Sequence, residues 1–102
     1  MDLLLLTALN NKATTVTYTA TIPTTDWTGA EAPYSKTVTV TGVAVEDNPI
    51  VDLVLTGTYA TDQDILTAWG QVYRIVTTAN AITVYSNEAP TVDIPIQLKV
   101  VR

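Results

Sequence analysis

Paired carboxylates are the first residues of this chain whose chemistry could serve a reaction. Asp62 and Asp64 lie two positions apart, and Glu46 and Asp47 are adjacent in a polar turn. Such pairs can bind a cation or act as general acid and base. The first pair lacks the glycine and the later glutamate of a calcium loop, and both acids suit the first turn of a helix, where negative charge is favourable. We therefore expect this pair to be structural.

The remaining requirements of an enzyme are not met by the residue types present. Glu46 or Asp47 could act only if loops brought Asp26 or Glu31 beside them, and acidic turns are usually just solvated. The chain has no histidine and no cysteine, its serines are isolated, and its four glycines form no phosphate-binding loop. The sequence predicts a protein that is not an enzyme, with no catalytic residues, no cofactor and no metal site.

Aromatic side chains are the better candidates for binding. Trp27 and Tyr34 fall in one loop, and flat rings there could stack on a sugar or anchor a protein contact. Alternatively, Trp27 folds back as a plug over the open end of the domain. The net charge of −5 and the isoelectric point near 4.2 argue against a nucleic-acid partner.

The elements that would position these rings are mainly strands. Threonine takes up about one position in five, with valine and isoleucine common beside it, and these β-branched residues favour pleated sheet. The alternation of apolar and polar residues predicts a small antiparallel β-sandwich or half-barrel of about six strands. The predicted strands span 15–22, 35–43, 50–55, 72–77, 81–86 and 94–100.

One short helix interrupts the strands. One face of residues 50–55 is wholly apolar and the other, which contains Asp52, is nearly so, and this predicts a strand covered on both sides. Thr61 is a suitable N-cap and Gly70 a suitable C-cap, so we expect a helix over about 61–70. Its apolar stripe consists of Ile65, Leu66 and Trp69, and Trp69 should seal the helix onto the sheet.

The last strand has the clearest pattern. Ile94, Ile96, Leu98 and Val100 alternate with Pro95 and polar residues. Because proline cannot donate to a ladder, we expect this strand to lie at a sheet edge or to begin with an unpaired amide. In the hairpin before it, Asn80 should take a left-handed conformation.

The N-terminal segment, residues 1–12, differs from the single domain predicted for residues 13–102. Its leucines could form a short helix that ends at Asn10 and Asn11. That apolar surface would either dock on the parent domain or make a subunit or attachment contact. The segment is too short to span a bilayer and has no basic region or cleavage site of a signal peptide. The candidate contact residues are Leu3, Leu4, Leu5, Leu6 and Leu9.

A series of short motifs extends over residues 13–102. Their order resembles a small module found in tail-tip, baseplate and fibre-region proteins of phages and prophages of Gram-positive bacteria. The motifs are Thr25-Asp26-Trp27, Ala32-Pro33-Tyr34, the residues at 37–43, Asp47-Asn48-Pro49-Ile50-Val51-Asp52, the residues at 68–74 and the residues at 88–96.

This resemblance implies a structural or host-attachment role in a virion, with the protein in the phage tail or in host cytoplasm before assembly. It implies further copies of the chain, for example as a trimer, or other tail proteins as partners. The resemblance brings no catalytic residues with it. The alternative function is a carbohydrate-binding module in which Trp27 and Tyr34 recognise bacterial cell-surface glycans.

Overall fold

Two three-stranded antiparallel sheets and one helix make up the part of the protein that the structure describes, residues 15–101 of a computed structural model. The elements are β1 (Thr15–Ile22), β2 (Tyr34–Thr39), β3 (Ile50–Leu53), α1 (Tyr59–Trp69), β4 (Val72–Thr78), β5 (Ala81–Ser86) and β6 (Ile94–Val101). The first sheet has the order β1-β6-β3 and the second the order β2-β5-β4. The predicted class, mainly β with one short helix, is confirmed. Across residues 15–101 the strands form two separate sheets that do not close into a barrel.

The core lies between the central strands of the two sheets. On β5, Ile82 and Val84 are fully buried, and on β6 every second residue from Ile94 to Val100 is buried. Their period of two places these side chains on one face of each strand. Burying one such side chain fully stabilises the fold by roughly 1.5–3 kcal/mol. The facing pair of central strands therefore holds the two sheets together.

β1 spans the predicted residues, and its apolar residues lie on one face as predicted. Val16, Tyr18 and Ala20 are half-buried, Ile22 is fully buried, and the threonines between them are exposed. The strand pairs along its whole length with β6, from Thr15 opposite Val101 to Ile22 opposite Ile94.

The first alternative for the strand that contains Pro95, an edge position, is wrong, because β6 is the central strand of its sheet. Pro95 is the second residue of β6 and so lies near its start, as the second alternative has it. Extending the register of Leu53 and Ile96 by one residue places Val54 opposite Pro95. The Val54 N–H donates to the Pro95 carbonyl at 2.9 Å, but proline cannot return the bond. The β3 ladder ends at Leu53 for this reason, and the central strand accommodates the proline.

The prediction that the strand at 50–55 is covered on both faces is also wrong. β3 is an edge strand of four residues, in which Val51 and Leu53 are half-buried and Ile50 is 62% exposed. Val54 and Leu55 lie beyond the strand and are exposed as well. An apolar run is typical of a central strand, but its place in the sheet depends on which strands pair with it.

The helix begins earlier than predicted. Thr58 occupies the N-cap without a side-chain hydrogen bond, so Thr61 lies inside the helix. Gly70 is the C-cap as predicted, with its N–H donating to the Leu66 carbonyl at 3.0 Å. Ile65 is buried, and Trp69 is half-buried against the core, as predicted. Leu66 is exposed, contrary to the predicted stripe.

Asn80 closes the hairpin between β4 and β5 with φ of 60°, as predicted. It also joins the hairpin to the residues after β2. The Gly42 N–H donates to Asn80 Oδ1 at 2.9 Å, and the Asn80 N–H donates to the Val43 carbonyl at 2.7 Å. This places Val43 in the core beside β5.

We expect Leu98→Ala to lower the free energy of unfolding by about 2–5 kcal/mol, because it opens a cavity between the sheets. Gln97→Ala, one residue away on the outer face of the same strand, is the matched control and should change it by less than about 0.5 kcal/mol. Urea denaturation followed by tryptophan fluorescence measures both. Equal effects at the two positions would contradict this description of the core.

Candidate functional site

Trp27 is placed by the loop between β1 and β2, where it packs against the core and is half-buried. Its Nε1–H donates to the Pro23 carbonyl at 2.8 Å. Tyr34 begins β2, is half-buried, and its hydroxyl donates to the Ala30 carbonyl at 3.4 Å. The polar edge of the indole is therefore used within its own loop. A binding role for these two rings stays a prediction.

The five leucines predicted to make a contact, from Leu3 to Leu9, lie outside the described residues. The division of the chain at residue 12 lies outside them as well. Both therefore stay predictions.

Two carboxylates in the loops accept hydrogen bonds from backbone amides: Asp47, predicted as part of an acidic turn, and Asp93, which was not singled out from the sequence. Asp47 Oδ2 accepts the Ala44 N–H at 2.8 Å, within the acidic turn. Asp93 Oδ1 accepts the Thr24 N–H at 3.2 Å and so links the loops before β6 and after β1. Among residues 15–101, no three side chains of the metal-binding types cluster closely enough to hold an ion.

Asp62 has the most developed set of partners. Its Oδ1 accepts both the Thr56 N–H and the Thr56 hydroxyl at 2.8 Å, and its Oδ2 accepts the Gly57 N–H at 3.0 Å. These donors, the Thr56 N–H foremost, hold the pKa of Asp62 below its ordinary value of 3.8. The side chain ties the loop after β3 to the first turn of α1, in place of the cap predicted at Thr61.

An aromatic and cationic cluster on the second sheet was not predicted. It consists of Tyr73, Arg74 and Tyr85. The two tyrosine rings lie 6.3 Å apart at a tilt of 45°, and the Arg74 guanidinium lies 5.3 Å from the centre of the Tyr85 ring. Tyr73 and Arg74 are exposed, whereas Tyr85 is half-buried.

A β-bulge brings this cluster together. The register between β4 and β5 shifts between Val72 and Arg74, which leaves Tyr73 without a direct partner and places Arg74 opposite Tyr85. Regular alternation predicted Tyr73 and Arg74 on opposite faces. A bulge depends on the pairing of two strands, so no signal in β4 alone could have revealed it.

An open cleft of about 280 Å³ adjoins the cluster, between the edge strands of the two sheets. Val51 and Pro49 line it on the side of β3, Ile75 lines it on the side of β4, and Trp69 at the end of α1 lines it as well. Tyr73 and Arg74 also line it. The cleft thus combines apolar walls with one positive charge and a tyrosine ring.

Exposed apolar side chains concentrate in the segment from β3 to α1. Of the eight large apolar side chains exposed in residues 15–101, five fall between positions 50 and 66. Tyr59, which is 80% exposed, and Leu66 are seven residues apart and share one face of the helix. Single exposed apolar residues are ordinary, whereas such a concentration is typical of a contact surface. The five are Ile50, Val54, Leu55, Tyr59 and Leu66.

Comparison with protein-family models, with curated proteins and with solved structures finds no match to this chain. The resemblance to phage tail modules therefore rests on the order of the motifs alone. None of the helices within residues 15–101 has the length and apolar character to cross a bilayer.

We expect Asp62→Asn to lower the free energy of unfolding near neutral pH. We also expect the free energy of unfolding of this variant to fall less than that of wild type as the solution is acidified. Because the folded-state pKa is lowered, the carboxylate stabilises the fold fully above the unfolded value of about 3.8. That contribution is lost as pH falls through the folded pKa, so the difference between wild type and variant should shrink there. Urea midpoints measured from about pH 7 to about pH 2 test this.

The matched control is Asp64→Asn, which removes an exposed carboxylate two residues further along the same helix. It takes no part in the hydrogen bonds to Thr56 and Gly57. If the two variants show the same pH profile, the role assigned to Asp62 is wrong.

Proposed function

We propose that this chain is a non-enzymatic structural or host-attachment module of a phage or prophage tail, and that it assembles through protein contacts. The order of its motifs supports the tail assignment. The concentration of exposed apolar side chains in the β3–α1 segment supports assembly, and this observation carries the proposal.

The distribution of polar groups supports the same function. Asp47, Asp62 and Asp93 are acceptors for backbone amides, which suits a scaffold better than a reaction centre. Every buried side-chain nitrogen or oxygen within residues 15–101 has a hydrogen-bond partner. A rigid domain with an apolar outer segment is what a repeated assembly requires, since its contacts need little reordering on binding.

Light scattering on the purified full chain tests this proposal. We expect a mass greater than that of one chain, which is 11.0 kDa. The variant Leu55→Ser with Leu66→Ser removes two exposed apolar side chains and should lower that mass, as should deletion of residues 1–11. The control Thr61→Ser, on the exposed surface of α1, should not. A monomer unaffected by either change would refute assembly through these surfaces.

A second candidate function is binding of a bacterial cell-surface carbohydrate, and the cluster of Tyr73, Arg74 and Tyr85 favours it. Tyrosine rings offer flat apolar faces to the C–H side of a sugar, and a guanidinium donates hydrogen bonds to hydroxyl or carboxylate oxygens. The cleft beside Trp69 gives a saccharide unit space next to the rings. This second candidate differs from the alternative predicted from the sequence, in which Trp27 and Tyr34 bind the carbohydrate.

Titration with bacterial cell-wall polysaccharide tests the second candidate. We expect Tyr73→Ala to weaken binding about two- to twelvefold, because one stacking ring contributes roughly 0.5–1.5 kcal/mol. Tyr59→Ala, which removes an exposed ring from α1, is the matched control and should bind normally. Trp27→Ala should lower stability by about 3 kcal/mol, since its ring packs on the core. A selective loss of binding in Trp27→Ala without loss of stability would favour the Trp27 site instead.

A further inference from the structure

Each sheet has two edge strands, and three of the four edges carry features that hinder another strand from pairing. β3 has only four residues. β4 has a bulge between Val72 and Arg74. The Thr77 hydroxyl also donates to the carbonyls of Val45 and Asp47, so the loop between β2 and β3 lies against the far end of β4. Short strands, bulges and covering loops are the usual protection of sheet edges.

β2 is protected in two ways. Thr28 forms a bridge to Ser35, with N–H to carbonyl distances of 2.8 and 3.0 Å, so the loop before β2 occupies the start of its edge. Lys36 is in register with the buried Val84 and lies on the inner side of the sheet. An inward charge on an edge strand opposes the addition of another strand.

Within the described residues, 15–101, β1 has none of these features. It is eight residues long, pairs with β6 without a register shift, and contains no charged residue, glycine or proline. Within residues 15–101, no backbone hydrogen bond joins its outer edge to another element. A long, regular and uncharged edge favours pairing with another strand.

The groups that point outward from β1 follow from the ladder. In antiparallel sheets the N–H and C=O of one residue point to the same neighbour, and this direction alternates along the strand. The bond between Val54 and Pro95 shows that the odd-numbered residues of β6 face β3. Its even-numbered residues therefore face β1, where they pair with Val16, Tyr18, Ala20 and Ile22. The backbone groups of the threonines consequently point to the open edge.

The sequence of β1 is self-complementary about Tyr18. Residues 15–21 read T-V-T-Y-T-A-T, with threonines and apolar residues at symmetric positions. A two-fold axis at Tyr18 would place each apolar side chain of one copy opposite an apolar side chain of the other, and each threonine opposite a threonine. The resulting pairs are Thr15 with Thr21, Val16 with Ala20, Thr17 with Thr19, and Tyr18 with Tyr18.

We propose that the open edge of β1 binds the same strand of a second copy, antiparallel and about this two-fold axis. The threonine backbones of both copies then form about eight N–H to carbonyl bonds, because the two-fold axis creates four Thr–Thr pairs and each hydrogen-bonded pair shares two bonds. The combined sheet has the order β3-β6-β1-β1-β6-β3, and its inner apolar face continues from one copy to the other. Such an interface is isologous, as most dimers of identical chains are.

The threonine pattern of β1 supports a second copy as the partner, and the absence of charge on this strand permits it. The chain has a net charge of −5, so two copies repel each other in general, but β1 has no charge that would oppose contact at this edge. The threonine rows also match each other, since Thr–Thr pairs stabilise neighbouring strands. This inference rests on the geometry of the sheet and not on the proposed tail function.

Amide hydrogen exchange measured by NMR on the full chain tests the interface directly. We expect the N–H groups of Thr17, Thr19 and Thr21 to gain at least tenfold protection as protein concentration rises. The N–H groups of Tyr18 and Ala20 are the internal controls, because β6 protects them at every concentration. Threonine amides that exchange freely at all concentrations would overturn the proposal. Protection independent of concentration would also overturn it, because a segment of the same chain would then occupy the edge.

Charge variants test the register. Thr17→Glu with Thr19→Glu places like charges opposite each other across the two-fold axis, and we expect it to weaken the dimer at least tenfold in sedimentation equilibrium. Thr17→Glu with Thr19→Lys places opposite charges there and should preserve the dimer. Thr61→Glu with Thr91→Glu, at two exposed positions outside β1 and outside the helix face of Tyr59 and Leu66, matches the net charge of −7 and should also preserve it. If the two β1 variants dimerise equally, the proposed register is wrong.

These measurements separate the two proposals. In one result, deletion of residues 1–11 lowers the mass and the threonine amides are never protected. It would refute the β1 interface and leave assembly by other surfaces intact. The opposite result is threonine amides whose protection rises with concentration and a mass that does not change in the Leu55→Ser and Leu66→Ser variant. It would support the β1 interface and refute assembly through the β3–α1 segment.

Discussion

The contact between the inner faces of β5 and β6 is the interaction on which the rest of this structure depends. Both are central strands, and their inward side chains are almost completely removed from water. The edge strands β1, β2, β3 and β4 each pair with one of these two strands. Their inner residues are mostly half-buried, so they contribute less apolar burial of their own. Their position depends on the backbone ladder that the central strands provide.

Side-chain oxygens hold the connecting segments in place around this core. Asp62 binds the loop after β3, Asp47 closes its own turn, Asp93 joins two loops, and Asn80 binds the residues after β2. Short polar side chains suit this task because they accept hydrogen bonds from nearby backbone amides that no ladder satisfies. Of the acids that first suggested chemistry, Asp47 and Asp62 thus have a structural use. The surfaces left for recognition are apolar, aromatic with one guanidinium, or uncharged.

Three such surfaces differ in character. The β3–α1 segment presents large apolar side chains, the cluster at Tyr73 and Tyr85 presents rings beside a guanidinium, and the edge of β1 presents backbone groups between threonines. They lie on different elements, so one domain could take part in several contacts at once. This arrangement is compatible with the role of a building unit in a larger assembly, which is the function proposed for the chain.

The sequence by itself determined the elements whose pattern is local. The alternation in β1 and β6, the left-handed turn at Asn80 and the cap at Gly70 depend on residues next to one another, so they were predicted correctly. Only the tertiary structure decided that β3 is an edge strand and β6 the central strand of their sheet, since strand order involves residues distant in sequence. The tertiary structure also decided that Asp62 binds Thr56 and that a bulge places Arg74 opposite Tyr85. Side-chain alternation shows which face of a strand is apolar, but the neighbours of that strand are fixed by packing of the whole chain.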